Sequence, residues 1–127
     1  MKVVAIVAVS LIFVICLFQI ALAFGAPLGK AAWGGRHQGS LPKGLRIGSG
    51  IAGFILYPLI GVMVLDGAMV IDGRFMLGND KAVMWGLSAL FSVGALANLA
   101  SRSIIERWWA PVSLTLALCC AVVALLL

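Results

Sequence analysis

The chain has 127 residues, of which 64% are hydrophobic and 10% charged, and its net charge is +5. Soluble domains average about 45–50% apolar and about 25% charged residues, so this composition excludes an ordinary soluble domain, and the length leaves room for one domain. Because no soluble basic domain remains to carry the positive charge, the composition also excludes a nucleic-acid-binding protein.

Four apolar stretches are long enough to cross a bilayer, at about residues 3–25, 45–65, 81–100 and 104–127. A helix rises about 1.5 Å per residue and the hydrocarbon core is about 30 Å thick, so about 20 residues suffice for each crossing. The first stretch is longer than the hydrophobic region of a signal peptide, and we expect it to be retained. The sequence predicts an all-α, four-span transmembrane helical bundle with up-down-up-down topology, in which residues 1–127 form a single transmembrane domain.

The loop between the first two spans, residues 26–44, is rich in glycine and proline, which excludes a continuous helix. The Gly34–Gly35 pair permits positive φ angles or a close approach of the backbone to a partner. Two interpretations stay open. The loop lies in the head-group region with Trp33 at the interface, or it folds over the bundle and presents Arg36 and His37 to an anion or small ligand.

The second span contains a stripe of small residues that includes Gly48 and Ala52. The segment from Gly48 to Gly53 matches a GxGxxG string, but no strand precedes it, so it indicates helix packing rather than a dinucleotide site. We predict that this stripe packs against Ser88 and Ser92 of the third span, while the bulkier first and fourth spans face lipid. Pro58 should kink the second span.

The two remaining connections carry turn and capping signals. In the outer loop, residues 66–80, Asp72–Gly73 indicates a turn, and Asn79 or Asp80 can cap the third helix. In the hairpin before the fourth span, Ser103 and Glu106 match a capping box, in which each side chain accepts the other residue's backbone N–H. A hairpin this short makes the third and fourth spans antiparallel neighbours.

Basic residues are concentrated on one side of the predicted topology. The 26–44 loop, the start of the second span and the 101–107 hairpin carry six of them: Lys30, Arg36, Lys43, Arg46, Arg102 and Arg107. The other side carries Lys2, Arg74 and Lys81, which three aspartates balance. The positive-inside rule therefore predicts a cytoplasmic location for the loop and the hairpin, with both termini outside.

Polar residues inside the spans are few, namely Gln19, Tyr57, Ser88, Ser92, Asn98, Ser113 and Thr115. No carboxylate lies near the middle of a span, which disfavours a proton-coupled exporter of the small multidrug type. His37 is the only histidine and has no nearby second ligand or nucleophile, and Cys16, Cys119 and Cys120 are best interpreted as small apolar filler. We therefore expect no catalytic residues, no metal and no cofactor.

Three sequence blocks resemble those of a family of small four-helix integral membrane proteins of bacteria. They are GAPLG at residues 25–29, WGGRHQGSLP at 33–42 and NLASRSIIER at 98–107. The resemblance implies a bacterial inner membrane and no particular activity.

The sequence as a whole favours a small polytopic inner-membrane protein without enzymatic activity. It would be a membrane subunit, or a bundle that binds lipid or a small ligand at a basic cytoplasmic face; the alternative is a small channel or transporter, which at this size requires an oligomer. Expected partners are anionic membrane lipids and either further copies of the chain or a larger membrane complex. The predicted ligand or anionic-lipid site comprises Trp33, Arg36, His37, Arg46, Asn98, Arg102, Glu106 and Arg107.

Overall fold

The computed structural model describes residues 1–72, 76 and 78–127, and in these residues the chain is all-helical. It has four long helices, each long and apolar enough to cross a membrane: α1 (Lys2–Ala23), α2 (Lys43–Gly67), α3 (Asp80–Leu99) and α4 (Ile104–Leu126). The predicted all-α fold with four long helices is confirmed, and every predicted helix end lies within two residues of the observed one. Hydropathy succeeds here because each apolar run is about the length of one crossing.

Helix α2 changes its winding in the middle. Its α-helical parts, Lys43–Ile51 and Tyr57–Gly67, are separated by a π-helical turn at Ala52–Leu56. The predicted disturbance around Pro58 takes this form because proline has no N–H to donate and its ring crowds the carbonyl four residues back. A wider turn just before the proline relieves that crowding.

Small residues in the middle of α2 bring this helix against α1, while Gly67 at its end lies against Met84 of α3. A Cβ atom added at Gly53 would lie 2.9 Å from Ile20 Cγ1 and 3.1 Å from the Cys16 carbonyl oxygen. The backbones of the two helices therefore meet at this glycine.

The predicted contact of Gly48 and Ala52 with Ser88 and Ser92 is wrong. The Ser88 hydroxyl donates to the Ala117 carbonyl of α4 at 2.8 Å, and the Ser92 hydroxyl donates to the Ser88 carbonyl. Gly48 instead lies against the indole of Trp33. A stripe of small residues identifies a face that permits close approach, but it does not specify the partner helix.

Helices α1 and α4 also contribute more to the core than the sequence suggested. The main apolar cluster includes Ala5, Ala8 and Ile12 of α1 and Leu116, Cys120 and Val123 of α4. The most extensive helix contact joins α3 and α4, as expected from the short hairpin between them. The three cysteines are buried and form no disulfide, which fits their interpretation as small apolar residues.

The connection between α2 and α3 is described only in part. The predicted turn at Asp72–Gly73 lies partly outside the described residues, which omit 73–75 and 77. Helix α3 begins at Asp80 with Asn79 in the capping position, but the side chain of Asn79 makes no capping hydrogen bond within the described residues. Met76 is 7% exposed and joins the main apolar cluster.

The contact at Gly53 can be tested against a matched glycine. We expect Gly53→Ala to lower the free energy of unfolding in detergent by about 1–2 kcal/mol, because the added methyl group overpacks the α1 interface. Gly86→Ala is the control, since nothing lies within 4 Å of a Cβ there. It should raise stability by up to about 1 kcal/mol through helix propensity. Chemical unfolding followed by circular dichroism measures both, and equal effects would contradict the packing at Gly53.

Candidate functional site

The loop between α1 and α2, residues 24–42 and called here the first loop, is folded onto the bundle. It contains two 3₁₀ turns, Gly29–Ala31 and Trp33–Gly35. Ala32 and Leu41 are buried in a small apolar cluster with Leu22 of α1. The backbone N–H of Gly29 also donates to the Gly39 carbonyl at 2.9 Å, which closes the loop on itself. The folding of the loop over the bundle is therefore confirmed, while the presentation of Arg36 and His37 to a ligand stays a prediction.

The glycine pair allows the first loop to touch the hairpin before α4. Gly34 and Gly35 have φ angles of +83° and +69°, a region that residues with a Cβ rarely adopt. A Cβ atom at Gly35 would overlap the Cβ of Ser103. The pair thus provides both the positive φ angles and the close approach that the sequence indicated, and its partner is the hairpin.

Glu106 joins the hairpin to the first loop. Its carboxylate accepts a hydrogen bond from the backbone N–H of Gly34 at 2.9 Å, and the residue is 7% exposed. Only half of the predicted capping box forms. The Ser103 hydroxyl accepts the Glu106 N–H at 3.4 Å, whereas the Ser103 N–H donates to the Ser101 hydroxyl at 3.2 Å. Because Ser103 has this other acceptor, the carboxylate of Glu106 is available to the loop.

Two arginines at this end of the molecule bind backbone carbonyls. Arg46 donates from Nε to the carbonyl of Ala23, the last residue of α1, at 3.1 Å. Arg107 donates from Nε to the Ser101 carbonyl, just beyond the end of α3, at 2.8 Å. The carbonyls at a helix C-terminus lack partners within the helix and carry partial negative charge, so both arginines stabilise helix ends.

Trp33 attaches the first loop to α2. Its indole Nε1–H donates to the buried Ser49 hydroxyl at 2.9 Å, and its ring lies 3.1 Å from the Cβ position of Gly48. The backbone of Trp33 has a φ angle of +52°, which is rare for a non-glycine residue. The side-chain contacts hold this conformation, so the loop position is determined by packing as well as by hydrogen bonds.

Below the first loop lies a cavity of about 350 Å³, to which all four helices and the loop contribute. Its aromatic lining includes Phe18 and Trp109, whose ring centroids are 4.8 Å apart. Its polar lining comprises Gln19, Trp33, Tyr57, Asn98, Glu106 and Ser113. This combination of apolar walls with a few polar groups is typical of small-molecule sites.

The polar groups of the cavity are not equally satisfied. Trp33 donates to Ser49, and Asn98 donates from its side-chain nitrogen to the Ser113 hydroxyl at 3.3 Å. In contrast, Gln19 Oε1 is buried without a hydrogen-bond partner. The Glu106 carboxylate receives one hydrogen bond, from Gly34, among the residues that the structure describes. Gln19 Oε1 and the Glu106 carboxylate therefore have acceptor capacity left, beside the hydroxyl donors of Tyr57 and Ser113 in the same lining.

Three of the eight residues predicted for the site line the cavity, namely Trp33, Asn98 and Glu106. Arg46 and Arg107 bind backbone carbonyls instead. Arg36, His37 and Arg102 do not line it, and Arg36 and Arg102 are exposed. The sequence prediction did not include Gln19, Tyr57 and Ser113 in the site, although each is a polar residue inside an apolar span, which is itself a signal of function.

Comparison of the chain with protein-family models, with curated proteins and with solved structures finds no match.

The contact between the first loop and the hairpin can be tested by adding one methyl group. Gly35→Ala and Gly39→Ala both impose a Cβ on a backbone with positive φ, but only the Cβ at position 35 meets other atoms, of which the Cβ of Ser103 is the nearest. We expect Gly35→Ala to displace the loop and to speed tryptic cleavage at Lys30 and Arg36. Gly39→Ala adds only the cost of a positive φ angle for a residue with a Cβ, about 1–2 kcal/mol. It should therefore raise the rate of cleavage much less than Gly35→Ala does.

Combining Gly35→Ala with Ser103→Gly should restore slow cleavage, because it removes the atom that the added methyl group meets. Equal cleavage rates for the two single variants would contradict the close approach at Gly35.

Proposed function

We propose that this chain is a multi-pass protein of a bacterial inner membrane that binds a small lipophilic molecule inside its helical bundle and has no catalytic activity. The four helices cross the bilayer up-down-up-down, and the first loop covers the cavity at the cytoplasmic side. The observation that carries the proposal is the cavity of about 350 Å³ with its buried, incompletely satisfied polar lining. Its size falls within the range of about 300–1,000 Å³ that is typical of ligand sites.

The outer surface of the helices supports a location in lipid. Large apolar side chains point outward, among them Phe13 and Ile55, which are 62% and 63% exposed, and Val93 and Leu118, which are 63% and 59% exposed. Soluble monomers rarely expose apolar patches larger than a few hundred Å². In a bilayer the same surface meets acyl chains and requires no other partner.

The distribution of charge supports the orientation. Lys30, Arg36, Lys43 and Arg102 are exposed at the end of the molecule that carries the first loop and the hairpin. Basic residues in short loops are characteristic of the cytoplasmic side, where they also meet anionic lipid head groups. Both termini would then face outward.

The cavity supports a binding role over a purely structural one. A bundle that serves only as a packing subunit gains nothing from open space among its helices, because each void lowers stability. Polar groups inside lipid are also costly unless they are satisfied. Here the open space and the polar groups occur together, beneath a loop that is fixed by Glu106 and Trp33.

The orientation predicts which positions are accessible from outside the cell. In a background with Cys16, Cys119 and Cys120 replaced by alanine, Asn79→Cys should react with a membrane-impermeant maleimide in intact spheroplasts. Gln38→Cys, in the first loop, should react only after lysis. Both side chains are exposed, so access depends on the membrane alone. Reaction of Gln38→Cys in intact spheroplasts would contradict a cytoplasmic location of the first loop.

Ligand binding can be measured with 6-bromohexanol, because its bromine quenches tryptophan fluorescence. In a Trp85→Phe, Trp108→Phe background the emission comes from Trp33 and Trp109, which both line the cavity. We expect saturable quenching for the protein in phosphatidylcholine nanodiscs. Ala52→Phe, which narrows the cavity, should weaken this quenching about tenfold or more, whereas Ala97→Phe on the exposed face of α3 should not. Equal quenching in both variants would indicate partition into lipid and contradict the proposal.

A further inference from the structure

We propose that the molecule bound in the cavity carries a protonated amine with at least one N–H, attached to an apolar body. This inference rests on the binding function proposed above and specifies its ligand class. It differs from the expectation of an anionic ligand that the basic loops raised, because the inside of the cavity and its outer rim carry charges of opposite sign.

The lining of the cavity contains a carboxylate without a countercharge among the described residues. Glu106 is the one charged residue in the lining among the described residues, and it is buried at 7% exposure. A buried carboxylate is stable only when it is paired and hydrogen-bonded. Within the described part of the chain it has one neutral partner, the Gly34 N–H, and no ion pair.

The nearby arginines do not neutralise this carboxylate. Arg46 and Arg107 bind the backbone carbonyls of Ala23 and Ser101. Arg36 and Arg102 are exposed and lie outside the lining. A cationic group that entered the cavity would therefore supply the countercharge that the described residues do not.

The hydrogen-bonding groups of the lining include acceptors with spare capacity. Gln19 Oε1 has no donor among the described residues, and the Glu106 carboxylate receives one hydrogen bond, from Gly34. The lining also carries the hydroxyl donors of Tyr57 and Ser113, while the indole N–H of Trp33 and one N–H of Asn98 are engaged within the protein. A ligand that donates hydrogen bonds matches both acceptors. This favours an ammonium with N–H groups over a quaternary ammonium, which has none.

The aromatic side chains of the lining also suit a cation. Phe18, Trp33, Tyr57 and Trp109 all border the cavity. The faces of such rings attract cations, by about 0.5–2 kcal/mol each according to their desolvation. Together with the neighbouring Ile15 and Leu56, these rings provide an apolar surface for the remainder of the ligand.

The test compares 6-bromohexylammonium with 6-bromohexanol, which share the apolar chain and the quencher. With the full-length chain in phosphatidylcholine nanodiscs at pH 7, we expect the ammonium to bind at least about tenfold more tightly, because charge-assisted hydrogen bonds are the stronger ones. Glu106→Gln keeps an acceptor for the Gly34 N–H and removes the charge. It should abolish the preference for the ammonium, so that the two compounds bind with similar affinities.

Asp80→Asn is the matched control. It removes one negative charge at the start of α3, away from the cavity lining, and should leave both affinities unchanged. If the alcohol binds saturably but the ammonium binds no more tightly, the ligand class is overturned and the binding function stands. If neither compound binds saturably, the binding function itself fails.

Gln19→Leu separates a ligand contact from a structural role. Because Gln19 Oε1 has no partner in the protein, replacing it should maintain or raise the melting temperature without ligand. The same substitution should lower the affinity for the ammonium about fivefold or more, as expected for one lost hydrogen bond. A fall in melting temperature with unchanged affinity would contradict a ligand-facing role for Gln19.

The ammonium could belong to an aminophospholipid head group or to a free lipophilic amine, and both sources share the same chemistry. Adding phosphatidylethanolamine to the nanodiscs distinguishes them. Weaker binding of 6-bromohexylammonium in those discs supports competition by the lipid head group, and unchanged binding supports a free amine.

Discussion

The hydrogen bond from the Gly34 N–H to the Glu106 carboxylate connects two segments that are 72 residues apart, and the candidate site depends on it. It holds the first loop against the hairpin, and residues 31–33 of that loop then form one wall of the cavity. The same carboxylate becomes part of the lining. One interaction therefore positions the loop that borders the cavity and places a carboxylate in its lining.

This arrangement separates the charges at one end of the molecule. The basic side chains either stabilise helix ends, as Arg46 and Arg107 do, or extend outward, as Arg36 and Arg102 do. The single acidic side chain at this end points inward. An outer rim that is positive suits anionic head groups, while an interior that is negative suits a cation. The two surfaces lie close together and favour opposite partners, so the net charge of the chain does not indicate what the cavity binds.

The four long helices could be predicted from the sequence, because an apolar run long enough to cross a bilayer has few stable alternatives to a helix. All four helices lie within two residues of their predicted bounds. The pairing of the helices could not be predicted, because small residues do not specify their partner helix. Ser88 of α3 contacts α4, and Gly53 of α2 contacts α1. Trp33, Asn98 and Glu106 could be placed at one end by counting crossings. The contribution of Gln19 and Tyr57 to the same cavity depends on how α1 and the π turn of α2 are rotated, and no local pattern in the sequence records that.

The least stabilising features of the bundle lie together, at the cavity. A buried acceptor without a donor costs about 1–3 kcal/mol, and a void among helices adds to that cost. Helix α2 also interrupts its regular hydrogen bonding at Ala52–Leu56, beside the cavity. Elsewhere the bundle contains well-buried Leu, Val and Ala contacts. Since a leucine at position 19 would remove one of these costs without adding a charge or a new polar group, packing alone does not account for the glutamine. A donor that arrives with the proposed ligand would account for it.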